Sequence, residues 1–435
     1  MRSHSRARWL VIKEWRELLA SRAWWVMVLA AGPIVGVAFT NAVATYADIS
    51  ADPGCGIVCS PLLGIWAPTF SAYEIVAIFL LPFVAIRSLT GDRQSGALTL
   101  ELQRSFPVAG RVGIKGMVVL GGWMIAFAAG AVAVALWASY GGGIAAPELG
   151  VVAIGHVMNA ALTIAVALAI AAMTDHPSTA AIVTLAITIG TWMIDFAAAV
   201  YGGLWERLAT YTPSAFISMF QHGLVRLNVV LIAVVIACAA IAIAAAWIRP
   251  GVPARRRAIE TAGFAMAAAV AVILCAAIPG SWDASETRIN SFAERDEEAL
   301  AHIAQAIQIE VHLAPQDPRR TAFERGPLAK LRRIRPVDVS FVSRTATGLY
   351  EQADKGYGEI RCQVGQRTGT TRAITDEALV EMLLQVAGVT PPAEMETPYR
   401  GRPLAVHAAG APALFFFIWP VAGAGMWLWS SRRQS

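Results

Sequence analysis

The chain has 435 residues, 56% of them hydrophobic and only 15% charged, with a mean hydropathy of +0.55. Soluble domains carry about 25% charged residues, so this composition excludes an ordinary water-soluble domain and describes an α-helical polytopic membrane protein. The net charge of +5 is not a nucleic-acid signature, because Lys and Arg gather beside the ends of apolar stretches, where membrane loops are basic; no nucleic-acid partner is expected.

Residues 8–22, RWLVIKEWRELLASR, set Trp9, Ile12, Trp15, Leu18 and Leu19 at helical spacing, with Lys13, Glu14, Arg16 and Glu17 elsewhere around the wheel. Residues 1–23 therefore read as an elbow helix at the membrane surface, or as a cytoplasmic extension of the first span. Apolar runs of about 20 residues then fall at 24–46, 67–86, 117–139, 151–173, 180–200, 229–248, 261–279 and 411–430. AVA at 42–44 resembles a leader cleavage site, but its apolar run is long enough to be a retained span. Gly32-Pro33 and Gly36 supply a kink and a GxxxG-type face there, which leaves open a contact with a second copy.

The loop ADPGCGIVCSPLLG holds Cys55 and Cys59; in an oxidising compartment they could pair, and otherwise they are two free thiols. Basic clusters stand before span one, at 87–116, between spans six and seven, and at the tail, whereas 140–150 has no Lys or Arg. That asymmetry predicts an N-in, C-in topology with all four clusters in the cytoplasm. Segment 201–228 and the region 281–410 then lie outside. The first reads as short interfacial helices broken near Pro213. The second reads as a small extracytoplasmic α/β domain, with helices at 293–306, 318–334 (interrupted near Gly326-Pro327) and 375–388. Its strands are expected at 307–313, 337–342 and 359–364, followed by a turn at RTGTT.

Between spans two and three, RSLTGDRQSGALTLELQRSFPVAGRVGIKG (87–116) is too polar for lipid. A turn at Thr90-Gly91 and Pro107 would bound a short helix, with Leu98 and Leu102 on one side and Arg93, Gln94 and Arg104 exposed. Arg111 and Lys115 would return the chain to the interface. A stiff helix held by two spans can transmit force.

This loop resembles that of the permease subunit of a type-two ABC transporter, with Asp92-Arg93, Gly96, Leu98, Pro107-Val108 and Lys115 in matching order and spacing. Ala97 and Thr99 depart from the family's usual Thr and Glu. KEWRELLASRAWW resembles the family's lead-in to span one. The resemblance covers residues 8–250 and implies a six-span permease domain (24–250). Its coupling helix would meet a separate ABC ATPase through Asp92, Arg93, Gly96, Leu98, Leu102 and Pro107. From about residue 260, a span followed by WDASETRINSFAERDEEALAHIAQAIQIEVHLAP resembles a shortened gliding-motility-type ABC auxiliary subunit. On that division, 251–280 is a basic linker with span seven, 281–410 the outer domain, and 411–435 span eight with a basic tail.

No phosphate-cradling GxxxxGK[ST] loop is present, since Ile114 separates Gly113 from Lys115 in GRVGIKG. HExxH, GxSxG and CxxC are also absent. No catalytic residue, metal site or directly bound cofactor is therefore expected, and ATP would be hydrolysed by the partner. Glu74, His156 and Asp195 fall in one layer about 8 to 9 Å below the outer surface, counting rise per residue. They could line an outer vestibule or relay protons, or each could satisfy itself near the interface. The resemblance implies an exporter subunit of a bacterial plasma membrane, paired with a second permease copy or related chain and with an envelope partner for the outer domain. A membrane anchor or sensor whose outer domain binds an envelope ligand is the other reading.

Overall fold

The computed structural model describes residues 2–52, 55–103, 106–201, 204–209, 211–314, 317–342, 356–389 and 399–432. Among these, eight helices are long and apolar enough to cross a membrane, so the chain is a multi-pass membrane protein by length and composition. It divides into two compact units, Met1–Ala284 with Arg400–Ser435, and Ser285–Tyr399.

In the first unit, α1 (Arg2–Ala20) breaks from α2 (Arg22–Ser50, span one) at Ser21, whose backbone is extended. The buried residues of α1 are Leu10, Glu14 and Leu18, while Trp9 and Ile12 stay exposed. This corrects the helical-wheel expectation: the face carrying Glu14 turns into the protein, and part of the apolar stripe is left for the membrane surface. Span two is a wide turn at Leu62–Trp66 followed by α3 (Ala67–Phe79) and α4 (Leu81–Gln94). It overruns its apolar core by several residues. Next come α5 (Ala97–Leu102) and then span three, α6 (Val108–Ala126) with α7 (Ala128–Ser139).

Spans four and five are α8 (Ala146–Met173) and α9 (Pro177–Tyr201). Two short helices follow, α10 (Leu204–Ala209) and α11 (Pro213–Gln221). Pro213 starts α11 rather than merely breaking the chain, because a helix's first position needs no N–H donor; Thr212 Oγ1 caps the helix by accepting from Ala215 N. Strand β1 (Leu224–Arg226) leads into α12 (Leu227–Ile248, span six) and α13 (Ala254–Ala276, span seven). Strand β2 (Ser281–Asp283) pairs antiparallel with β1, so the membrane unit retains residues that composition assigned to the outer domain.

The second unit holds α14 (Glu294–Ala301), β3 (Ile307–Val311), α15 (Pro318–Arg325), α16 (Pro327–Ile334), β4 (Val337–Phe341), β5 (Ile360–Val364), β6 (Arg367–Thr371) and α17 (Asp376–Ala387). Its sheet runs β4-β3-β5-β6, with β3 and β4 parallel and the other pairs antiparallel. Ile307, Ile309 and Val311 point into a core with Phe323, Leu331 and Leu383, as the alternation along β3 requires. RTGTT is a fourth strand, not a turn; the reversal lies just before it, where Gly365 takes a positive φ of 63°. Threonine's branched Cβ favours the extended backbone once β5 offers a partner. Thr375 caps α17 and Gly388 ends it in the left-handed region.

Residues 400–410 belong to the membrane unit: Arg402 N donates to Cys59 O, Leu404 N to Ser50 Oγ, and Tyr46 OH to Arg402 O. Cys55 and Cys59 form a disulfide in the same loop. Span eight consists of α18 (Ala411–Ala413), a wide turn at Leu414–Ile418 and α19 (Trp419–Arg432), and it covers the small-residue face of span one. A Cβ built on Gly32 would lie 2.2 Å from Trp419, and one on Gly36 would lie 2.4 Å from Phe415. Trp419 Nε1 also donates to Val28 O at 2.8 Å. The GxxxG face is thus filled within the chain and is not free for a second copy.

Candidate functional site

At the 87–116 end of the spans, six charged side chains from four helices meet. Lys115, near the start of α6, is 2% exposed; it donates to Glu14 Oε1 at 2.7 Å, to Asp92, and to the Ser88 carbonyl at 3.2 Å. Lys13 reaches Asp92 Oδ2 at 3.1 Å, Glu14 Oε1 at 3.3 Å, Glu17 Oε1 at 3.1 Å, and Glu101. Elbow helix, span two, short helix and span three are therefore joined by two ammoniums shared among carboxylates. The carboxylates of Glu14, Asp92 and Glu101 come within 4.8 Å of one another, close enough for a cation, but both lysine heads already occupy that role.

Burial decides the energetics. An ion taken out of water costs several kcal/mol unless its partners replace the lost hydration, and each ammonium here has at least two acceptors. Desolvation alone would lower the Lys13 pKa; the hydrogen bond that Lys13 donates to Glu101 and the charges of Glu14 and Asp92 outweigh it, so Lys13 is held above its ordinary value. For Glu14 the balance is reversed: burial pushes its carboxyl above the usual carboxylate value despite the opposing pull of Lys115 and Lys13. A cavity of about 290 Å³ opens beside the cluster, lined in part by Glu14, Glu17, Arg87, Asp92 and Lys115.

Arg93 faces away from this cluster. Its guanidinium donates to the carbonyls of Thr174 at 2.6 Å, Ala172 at 3.0 Å and Ala171 at 3.4 Å, satisfying the last turn of α8 as a cation at a helix C-terminus should. The expected exposed Arg93 is therefore a tie between spans two and four, and Asp92 is a tie among span two, elbow and span three. Arg111 and Lys115 are buried, contrary to the expectation that they sit at the interface. Their backbones start a helix whose inner face the cluster needs. The turn lies at Ser95-Gly96 rather than Thr90-Gly91, because α4 runs to Gln94 and Gly96 takes a φ of +76°. Leu98 is buried, Leu102 is half-buried, and Pro107 precedes α6. Among the described residues of this segment, Thr99, Leu100 and Gln103 are exposed. Sequence reading missed Leu100, although an apolar residue out of step with Leu98 and Leu102 on a short polar helix was its signal.

Glu74, His156 and Asp195 do not form one cluster of mutual contacts. Gln221 Nε2 donates to Glu74 Oε1 at 2.8 Å and lies 3.5 Å from His156 Nε2. His156 is enclosed by the rings of Phe70, Tyr73 and Phe127. Asp195 accepts from Thr212 Oγ1 at 2.7 Å and from Ser214 Oγ. The two sets engage opposite ends of α11, and the Glu74 and Asp195 carboxylates are near enough to interact through their charges without touching. Gln221 is the residue sequence reading passed over.

Compared with protein-family models, curated proteins and solved structures, the chain matches none. Its class, a multi-pass membrane protein of eight apolar helices, rests on its own residues.

Proposed function

We propose that this chain is the membrane-embedded permease subunit of an ATP-driven exporter of the type-two ABC class, working with a separate ATPase. The observation that carries the reading is the buried ion cluster, which makes α5 mechanically continuous with the elbow helix and with spans two and three. A push on Leu100 and its neighbours would move that joint as one piece, and Arg93 would pass the displacement to span four. Discrete rearrangements of packed helices are how such inputs travel. In this reading the basic ends face the cytoplasm of a bacterium, the Ser285–Tyr399 unit stands outside, and the pathway is completed by a second copy or a related chain. The outer unit meets substrate or an envelope partner. Glu74, His156 and Asp195 polarise the outer end of the route.

The test is purification of the full chain in mild detergent with a cysteine placed by Leu100→Cys. A nucleotide-binding subunit should co-purify and cross-link to that cysteine, and Leu100→Asp should abolish ATP-dependent transport while the protein still inserts. Recovery of the chain without any ATPase, or labelling of residue 100 from the outside of intact cells, would overturn the proposal.

A further inference from the structure

A second cavity, of about 350 Å³, lies at the same end of the membrane unit and is lined by Arg93, Arg249, Arg257, Asp175 and Trp247. That volume is at the lower end of the range of about 300 to 1,000 Å³ typical of ligand sites. It sits where span two ends at Gln94, span four at Met173 and span six at Ile248, and where span seven begins at Ala254. This is the boundary between apolar and polar surface, the level of lipid phosphates in a bilayer.

Three guanidiniums face one lining carboxylate, and Glu260, which also meets Arg256, pairs with Arg249 alone of the three. Among the described residues, Arg93 and Arg257 make no ion pair; Arg93 donates to the α8 carbonyls and Arg257 donates to Arg249 O at 2.7 Å. The buried Nε of Arg257 has no acceptor among the described residues. A positive surplus with an unmatched donor calls for an anion, and guanidinium geometry suits phosphate oxygens. Met173 and Ile248 supply an apolar wall, and Trp247, tied to Thr261 Oγ1 at 2.7 Å, is the residue type favoured at a lipid interface.

We infer that this cavity binds a phosphate group, specifically the headgroup of an anionic phospholipid held between spans two, four, six and seven. Basic pockets between spans take such headgroups, and a lipid source is favoured over free phosphate because the site lies at the ends of four spans, level with the headgroups, with Met173, Trp247 and Ile248 at its margin for the acyl chains. The lipid would touch Leu98, which lines the same cavity, and so would sit against the helix between spans two and three.

The full chain, placed in nanodiscs of phosphatidylcholine with graded phosphatidylglycerol, should retain phosphatidylglycerol selectively when bound lipids are counted by native mass spectrometry. Arg257→Gln should cut that retention by about tenfold, the loss of one charge-assisted hydrogen bond. Arg16→Gln, an exposed arginine elsewhere, should leave it unchanged. Asp175→Asn should raise retention, a gain that a folding defect cannot imitate and that decides the matter if Arg257→Gln is poorly folded. Equal retention of the two lipids, full retention in Arg257→Gln, no gain in Asp175→Asn, or displacement by millimolar inorganic phosphate would each overturn the assignment.

Discussion

The two polar layers of the membrane unit solve the same problem with different chemistry. Near Lys115 the buried groups are charged and pair with one another, whereas near His156 the carboxylates of Glu74 and Asp195 are met by Gln221, Thr212 and Ser214, which are neutral. Breaking an ion pair in an apolar setting leaves an uncompensated charge, but breaking a neutral contact leaves a group that can exchange a proton or find water. The Lys115 layer is thus built as a rigid joint. The His156 layer, hung on the short helix α11, is built to let go.

The strongest way to break this contrast is Lys115→Met, which strands Glu14 and Asp92. It should destabilise the unit by about 3 to 5 kcal/mol, read as a fall in thermal midpoint in detergent, and adding Asp92→Asn should recover part of the loss. Forcing apart spans one and eight with Gly36→Leu should cost about 1 to 3 kcal/mol by overpacking, and paired cysteines in the two spans should then cross-link more slowly. Gln221→Leu, in the looser layer, should cost about 1 to 2 kcal/mol. If its thermal shift equals that of Lys115→Met, the distinction between joint and release is wrong.

Glu14→Gln should have the smallest effect of the cluster substitutions, because burial offsets part of what its charge contributes and Asp92 still holds both lysines. Its folded pKa is raised, so the stability it lends is full below the unfolded value and declines as pH rises through the raised one. Fixing it neutral should flatten the dependence of thermal midpoint on pH as pH rises above the usual carboxylate value. In the smaller unit, burial pushes the Cys362 thiol up to about 12. A maleimide should therefore leave it unmodified at neutral pH and react once the unit is unfolded.

Local features of the smaller unit were legible because their causes are local. Thr375 and Gly388 bound α17 through contacts within a few residues, and Gly326-Pro327 divides α15 from α16 for the same reason. RTGTT was not legible, since a threonine-rich segment becomes a strand only when β5 supplies its hydrogen bonds. In the candidate site, the directions of Asp92 and Arg93 were not legible. Asp92 meets Lys13 across 79 positions, and Arg93 meets Thr174 across 81.

What the sequence determined by itself is the count of spans, the presence of a small α/β unit and the polar segment between spans two and three. Each follows from run length, periodicity or capping, which act over one turn or one strand. Tertiary structure alone decided that Lys115 is buried, that Gly32 and Gly36 receive Trp419 and Phe415, and that Leu100 rather than Arg93 faces outward. A charge or a glycine carries no record of its partner, and which face of a helix is covered depends on residues that arrive hundreds of positions later.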